Sequence, residues 1–176
     1  SRMGEDKGLK LFNGKALVQT VIHQMQLATD KVVIVSNNLG YQQFGLEVIE
    51  DVVKNIGPAG GIYTALLHST TEKNFIVSCD MPFITAESIA FMLKNSDDSD
   101  ITIPEMNGKL EPLFGVYSKA CLPKWKALID DECIKLQEMV QQFNLKSIDV
   151  GDNSFFSEKL FRNINTRTDF NNALKT

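Results

Sequence analysis

The sequence predicts an α/β fold in which a mostly parallel sheet is covered on both faces by helices, all within one domain. Three observations carry this. Short apolar runs rich in β-branched residues recur along the chain. Amphipathic stretches of helical period separate most of them. The 176 residues suit a single domain with a real hydrophobic core. Strands that alternate with helices point to βαβ units, and βαβ crossovers place helices over both faces of a sheet.

The elements follow in order. Residues 15–28 carry Leu17, Val18, Val21, Ile22, Met25 and Ala28 at helical spacing, which predicts an amphipathic helix. Residues 31–36 (KVVIVS) and 46–50 read as strands. Three glycines and a proline at 57–61 (GPAGG) mark a shaped loop leading into a short apolar helix over 61–68. Residues 74–79 (NFIVSC) form another strand. A helix over 85–94 opens on Thr85 as cap, with Glu87 in its first turn where the helix dipole favours an acid. Residues 95–100 (NSDDSD) are a polar connection to a strand over 100–104. A further strand candidate over 110–117 contains Pro112, which lacks a ladder donor and predicts an irregular or edge strand. Residues 117–130 and 131–143 read as two helical stretches with a break near Asp130-Asp131. A strand over 146–150 and a helix over 166–174 close the chain.

Composition removes several function classes. Apolar residues make up 43% and charged residues 23%, as in ordinary globular proteins, and the formal net charge is −4. A protein that lives on duplex nucleic acid carries a basic surplus, so nucleic acid is not an expected partner. No run approaches the roughly 20 apolar residues that cross a bilayer, and no secretory pattern opens the chain. Cys79, Cys121 and Cys133 are odd in number and far apart, which suits free thiols in a reducing cytoplasm rather than a zinc site or a disulfide framework. His23 and His68 fall in helical patterns and are not expected to be catalytic.

Three segments carry chemistry. Residues 1–7 place Arg2 and Lys7 around Gly4, a fork and a movable point charge suited to phosphate oxygens. Asp80 directly follows the apolar strand at 74–79 and precedes Pro82. Open α/β sheets bind ligands at the carboxyl ends of their strands, and a carboxylate there can hold a hard cation such as Mg²⁺ together with substrate phosphates. The loop Gly57-Pro58-Ala59-Gly60-Gly61 can wall a pocket and aim helix N–H groups at an anion, although it matches neither GxGxxG nor GxxxxGKS/T. Asn37 and Asp51 end strand candidates. An amide or a carboxylate there can meet a base edge, and a carboxylate can also meet a metal.

Together these pieces resemble the MobA-type nucleotidyltransferases, and within them the molybdenum cofactor guanylyltransferases. Arg2-Met3-Gly4-Glu5-Asp6-Lys7 is similar to the family's RMG.DK pattern. Leu9, Leu11, Gly14 and Lys15 are similar to its L..L.GK run. Val35-Ser36-Asn37, Val48-Ile49-Glu50-Asp51 and Gly57-Pro58-Ala59-Gly60-Gly61 follow in family order. So do Cys79-Asp80-Met81-Pro82-Phe83, Glu111-Pro112-Leu113 and Asn163-Ile164-Asn165-Thr166. The resemblance implies a three-layer α/β/α fold with a mostly parallel Rossmann-like sheet of the nucleotide-diphospho-sugar transferase type. It further implies that a strand and a glycine loop of LAGG type belong ahead of Ser1.

The implied reaction transfers GMP from GTP to the terminal phosphate of molybdopterin-bound molybdenum cofactor and releases pyrophosphate. Arg2, Lys7 and Asp80 are the implied catalytic residues, with Asp80 also the ligand of Mg²⁺. Lys7, Asn37, Asp51, Gly57, Pro58, Gly60 and Asp80 form the implied nucleotide side, and Asn163 and Asn165 the pterin side. The implied partners are GTP and molybdopterin, with transient contacts to cofactor-synthesis or acceptor proteins, and neither nucleic acid nor membrane. Read without the resemblance, the residues also allow CTP as donor, another small phosphorylated acceptor, or a nucleotide-binding module without turnover.

Overall fold

A computed structural model describes residues 7–12, 14–162, 164 and 169. A short antiparallel pair, β1 (Leu11–Phe12) and β2 (Lys15–Ala16), leads into helix α1 (Leu17–Ala28). The Gln19 side chain accepts from the Ala16 N–H and so occupies one of the donors that a helix start leaves unpaired. Leu17, Val18, Val21, Ile22 and Met25 are buried, the stripe expected from their spacing. Strands β3 (Val33–Val35) and β4 (Glu47–Ile49) pair in parallel. Helix α2 (Pro58–His68) starts on a proline, which is preset for the first turn and has no N–H to lose there.

Strand β5 (Lys73–Val77) precedes helix α3 (Ala86–Lys94), whose Thr85 side chain accepts from the Ser88 N–H. Then come β6 (Ile101–Met106), β7 (Lys109–Leu110), β8 (Phe114–Ser118), α4 (Leu122–Asp130), α5 (Leu136–Val140) and β9 (Leu145–Asp149). The larger sheet runs β5-β8-β6-β7, with β9 also paired to β6. Strand β8 is antiparallel to both β5 and β6, while β9 is parallel to β6. Strands β5, β6 and β9 therefore share one direction, with β7 and β8 opposed to them.

Helices cover both faces, which gives three layers. Val21 and Met25 of α1 and Ile89 and Met92 of α3 pack in one core with Met81, Phe114 and Phe156. Residues of α2, α4 and α5 pack in a second core around Trp125. Between β3 and β5 lies an apolar cavity of about 280 Å³, lined by Val33, Val35, Phe75 and Val77 and by side chains of α1 and α2. Pro58, Gly61, Ser78 and Cys79 also line it, so the ends of β3 and β5 and the start of α2 meet around one space.

Two helix expectations need correction. Tyr117 and Ser118, expected to open a helix over 117–130, belong to β8, and α4 starts only at Leu122. Every residue of β8 is buried, so the strand shows no alternation of apolar and polar positions. The Tyr117 hydroxyl donates to the Pro112 carbonyl at 2.5 Å, which fixes that residue in the sheet. The helix expected over 131–143 shrinks to Leu136–Val140, because Glu132 turns the backbone at φ 58°. Pro112 lies in the connection between β7 and β8, as its missing donor requires. The helix expected over 166–174 lies outside the described residues apart from Asp169.

Trp125 is fully buried, donates from its indole N–H to the Ala59 carbonyl at 3.0 Å, and packs edge-on against Tyr117. Trp125→Ala is expected to cost about 3–5 kcal/mol of folding free energy, read from urea unfolding. A loss below about 1 kcal/mol would contradict the placement of this second core.

Candidate functional site

Asp80 sits on the turn that follows β5. The Ser78 N–H donates to the Leu113 carbonyl at 3.0 Å and the Met81 N–H to the Ser78 carbonyl at 3.4 Å, so the chain folds back at the strand end. The Ser78 hydroxyl donates to Asp80 Oδ1 at 2.6 Å, and Ile164 N–H donates to the Asp80 carbonyl at 3.0 Å. One bond orients the carboxylate and the other fixes the backbone of a residue that is only 8% exposed. The Lys7 ammonium lies 3.9 Å from Asp80 Oδ2 and is itself about half exposed.

What brings Lys7 there is its neighbour. Lys7–Leu9 form one 3-10 turn, and Gly8 within it is buried. A Cβ on Gly8 would stand 2.2 Å from the Tyr41 hydroxyl and 3.0 Å from Cys79 Sγ. Only glycine lets the turn press this closely on the Asp80 segment. Gly8, Tyr41, Ser78 and Cys79 were not singled out as positioning residues by sequence reasoning. The one available signal was a glycine directly after the motif lysine.

A second cluster forms where β3 and β4 end. Their parallel register sets Val35 opposite Ile49, so the residues that follow meet. The Asn37 amide donates to Asp51 Oδ2 at 3.0 Å and accepts from the Asp51 N–H at 3.1 Å. Both ends of that amide are engaged with Asp51. Asp51 Oδ1 is buried and takes no hydrogen bond among the described residues. Burial raises the Asp51 pKa above the usual carboxylate value, against the lowering pull of the Asn37 hydrogen bond and of Lys54.

The glycine loop shapes the wall beside it. Gly57 takes φ 64° and ψ −147°, a conformation open essentially to glycine. A Cβ on Gly60 would stand 2.5 Å from the Val53 carbonyl, so α2 can close on that backbone only with glycine there. Gly61 places α2's first turn beside Asp51, with Oδ1 3.8 Å from where its Cβ would be. The unpaired N–H groups of a helix start favour an anion at such a place.

The structure thus brings together Lys7 with Asp80, and Asn37 with Asp51 and the loop of Gly57, Pro58 and Gly60. Arg2, Asn163 and Asn165 lie outside the described residues. Among the described residues no three His, Cys, Asp or Glu side chains converge as a metal cage. A lone, oriented carboxylate still fits a hard cation such as Mg²⁺, which takes one or two carboxylates and completes its shell with water and substrate phosphates. No helix of the described residues is long and apolar enough to cross a membrane.

Residues 1–146 match the model of the MobA-like NTP transferase domain. A Natranaerobius thermophilus protein named "Probable molybdenum cofactor guanylyltransferase" is 35% identical over 185 residues, covering 99% of this chain and 89% of its own. A Flavobacterium johnsoniae protein of the same name is 33% identical over 172 residues, covering 97% and 89%. Among solved structures, the molybdopterin-guanine dinucleotide biosynthesis protein A from Archaeoglobus fulgidus superposes with a TM-score of 0.80 at 23% identity, covering 98% of this chain and 90% of that one. That likeness shows the nucleotidyltransferase fold. By the extent of the model match and by these relatives, the chain is a nucleotidyltransferase that belongs to the MobA-like NTP transferase family.

Proposed function

We propose that this protein transfers GMP from GTP to the terminal phosphate of molybdopterin-bound molybdenum cofactor and releases pyrophosphate. The observation that carries the chemistry is the Lys7–Asp80 pair at the end of β5. The names of the relatives at 33% and 35% identity support the choice of donor and acceptor.

The step forms a bond between an acceptor phosphate oxygen and the α-phosphorus. It breaks the bond from that phosphorus to the bridging oxygen, which leaves with its electron pair on pyrophosphate. A phosphate monoester carries about −1.5 to −2 charge at pH 7, so its oxygen needs no general base. The chain's task is to hold anions together in line and to balance charge on the leaving group. Lys7 does this with a flexible ammonium beside the phosphates, and Arg2 is assigned the same work. Asp80, held by Ser78, is assigned the divalent cation, Mg²⁺ by its single-carboxylate setting. When bound, that cation neutralises phosphate oxygens and withdraws charge from the phosphorus.

On the nucleotide side, Asn37 holds Asp51 so that its carboxylate can accept from the N–H groups of a guanine edge. Gly57, Pro58 and Gly60 form the wall. Asn163 and Asn165 are assigned to the acceptor side. Cys79, Cys121 and Cys133 are thiols and not half-cystines, which supports a reducing, cytoplasmic setting. The finished cofactor passes to its acceptor proteins through transient contacts.

Thermal unfolding of the protein with a panel of nucleotides and Mg²⁺ tests the donor. GTP at about 100 times its Kd is expected to add about 2.7 kcal/mol, with ATP, CTP and UTP at the same concentration adding less. Equal or greater stabilisation by CTP would overturn the guanine assignment.

A further inference from the structure

Glu111-Pro112-Leu113 takes no part in the donor site, yet it is built with care. The Glu111 N–H donates to the Pro104 carbonyl at 3.0 Å, and its own carbonyl accepts from Phe114 N–H at 3.1 Å. The Pro112 carbonyl accepts from buried Tyr117. The Leu113 carbonyl accepts from Ser78, the residue whose hydroxyl orients Asp80. The segment is therefore tied directly to the turn on which the transfer is placed.

This segment lines a groove of about 520 Å³ that also touches Pro58, Met81, Ile134 and Gln137. Gln137 donates to the Leu110 carbonyl at 2.9 Å and so holds the 134–138 wall against β7. Ile134 is 40% exposed, an apolar side chain left uncovered beside buried Met81. The volume suits a small fused heterocycle.

The polar group aimed at it is Glu111. This residue is only 9% exposed, and its Oε1 accepts from Lys109 at 2.7 Å. Among the described residues its second oxygen takes no hydrogen bond. A plain stabilising salt bridge would not need this arrangement. Lys109 is 71% exposed, and pairs with so wet a partner contribute little. Lys135 and Glu138 of the same wall pair with each other at 3.0 Å, which leaves the open face of Glu111 to accept a pair of parallel N–H groups. The 2-amino-4-oxo edge of a pterin presents such a pair, and so does guanine.

We infer that this groove holds the ring end of the phosphorylated acceptor, with Glu111 reading its 2-amino-4-oxo edge. The inference rests on the donor assignment above, which puts the nucleotide at Asn37 and Asp51 and leaves the groove beside Met81 for the acceptor. The acceptor's phosphate would then reach Asp80 across one residue of chain. Pro112, Leu113 and Ile134 supply the apolar faces that a flat ring needs.

Two variants and two readouts test it. Glu111→Gln keeps the shape and removes the charge, and Ile134→Glu places a charge on the 134–138 wall of the groove. Binding of a pterin carrying a phosphorylated side chain is followed by pterin fluorescence, which needs no turnover. Each variant is expected to weaken that binding about 10-fold or more, with the melting temperature and the Kd for GTP-Mg²⁺ close to the parent values. In steady state, KM for the acceptor should rise while kcat at saturation holds. Unchanged pterin binding in both variants would overturn the inference. So would a Glu111→Gln defect confined to GTP, since the groove would then read the guanine. Failure of the donor assignment shows separately, as parent protein that binds no GTP or releases no pyrophosphate from it.

Discussion

Asp80→Asn is expected to lower kcat for nucleotide transfer by about 1000-fold or more while the protein folds as before. The substitution keeps side-chain volume and leaves an oxygen for the Ser78 hydroxyl at the position of Oδ1. What it removes is the charge. In the proposed mechanism that charge holds the divalent cation, whose effect on developing phosphate charge is worth several kcal/mol, and about 4 kcal/mol corresponds to about 1000-fold. Folding should be little affected, because the partner Lys7 is about half exposed and such pairs contribute about 0–1 kcal/mol. Steady-state pyrophosphate release and urea unfolding, measured on the same preparation, separate the two effects. Transfer at parental rate with Mg²⁺ would remove the metal role from Asp80.

Lys7→Ala comes next in size. A charge-assisted contact is worth about 1.5–3 kcal/mol, so kcat/KM for GTP should fall about 10- to 150-fold. Lys7→Arg retains the charge on a longer, planar head and should recover part of the loss. The measurement is kcat/KM at fixed acceptor, and an unchanged value for the alanine variant would take Lys7 out of the site. A Gly8→Ala variant acts on the same geometry from behind. Its methyl group collides with the Tyr41 hydroxyl, so Lys7 cannot stay where it stands.

How far the sequence revealed this arrangement depends on the kind of signal. Helix α1 announced itself through a buried stripe at helical spacing, and α3 through Thr85, whose capping bond the structure contains. Strand β8 was legible only in part: the candidate over 110–117 covers Phe114–Tyr117, but its end was read as the start of a helix. All five of its residues are buried, so no periodicity marks where the strand stops before the turn into α4. The shortened α5 follows from Glu132, whose positive φ leaves no mark in the residue types around it.

The candidate site divides in the same way. Asp80 at a strand end could be read from the apolar run before it. That Lys7 reaches it depends on Gly8 pressing against Tyr41 and Cys79, a contact between segments far apart in the chain. Asn37 and Asp51 looked like separate turn residues. The parallel register of β3 and β4 makes them one hydrogen-bonded unit. Glu111 was visible as a motif residue, but its burial against an open groove belongs to the tertiary fold.

In the proposed reaction the acceptor phosphate attacks the α-phosphorus of GTP. Transfer with GTP labelled at the α-phosphate, run beside GTP labelled at the γ-phosphate, tests it most directly. α-Label is expected in a pterin-containing dinucleotide and γ-label in pyrophosphate, in equal amounts and only when the phosphorylated pterin is present. Label from the γ-position on the acceptor, or α-label entering product from CTP in preference to GTP, would contradict it.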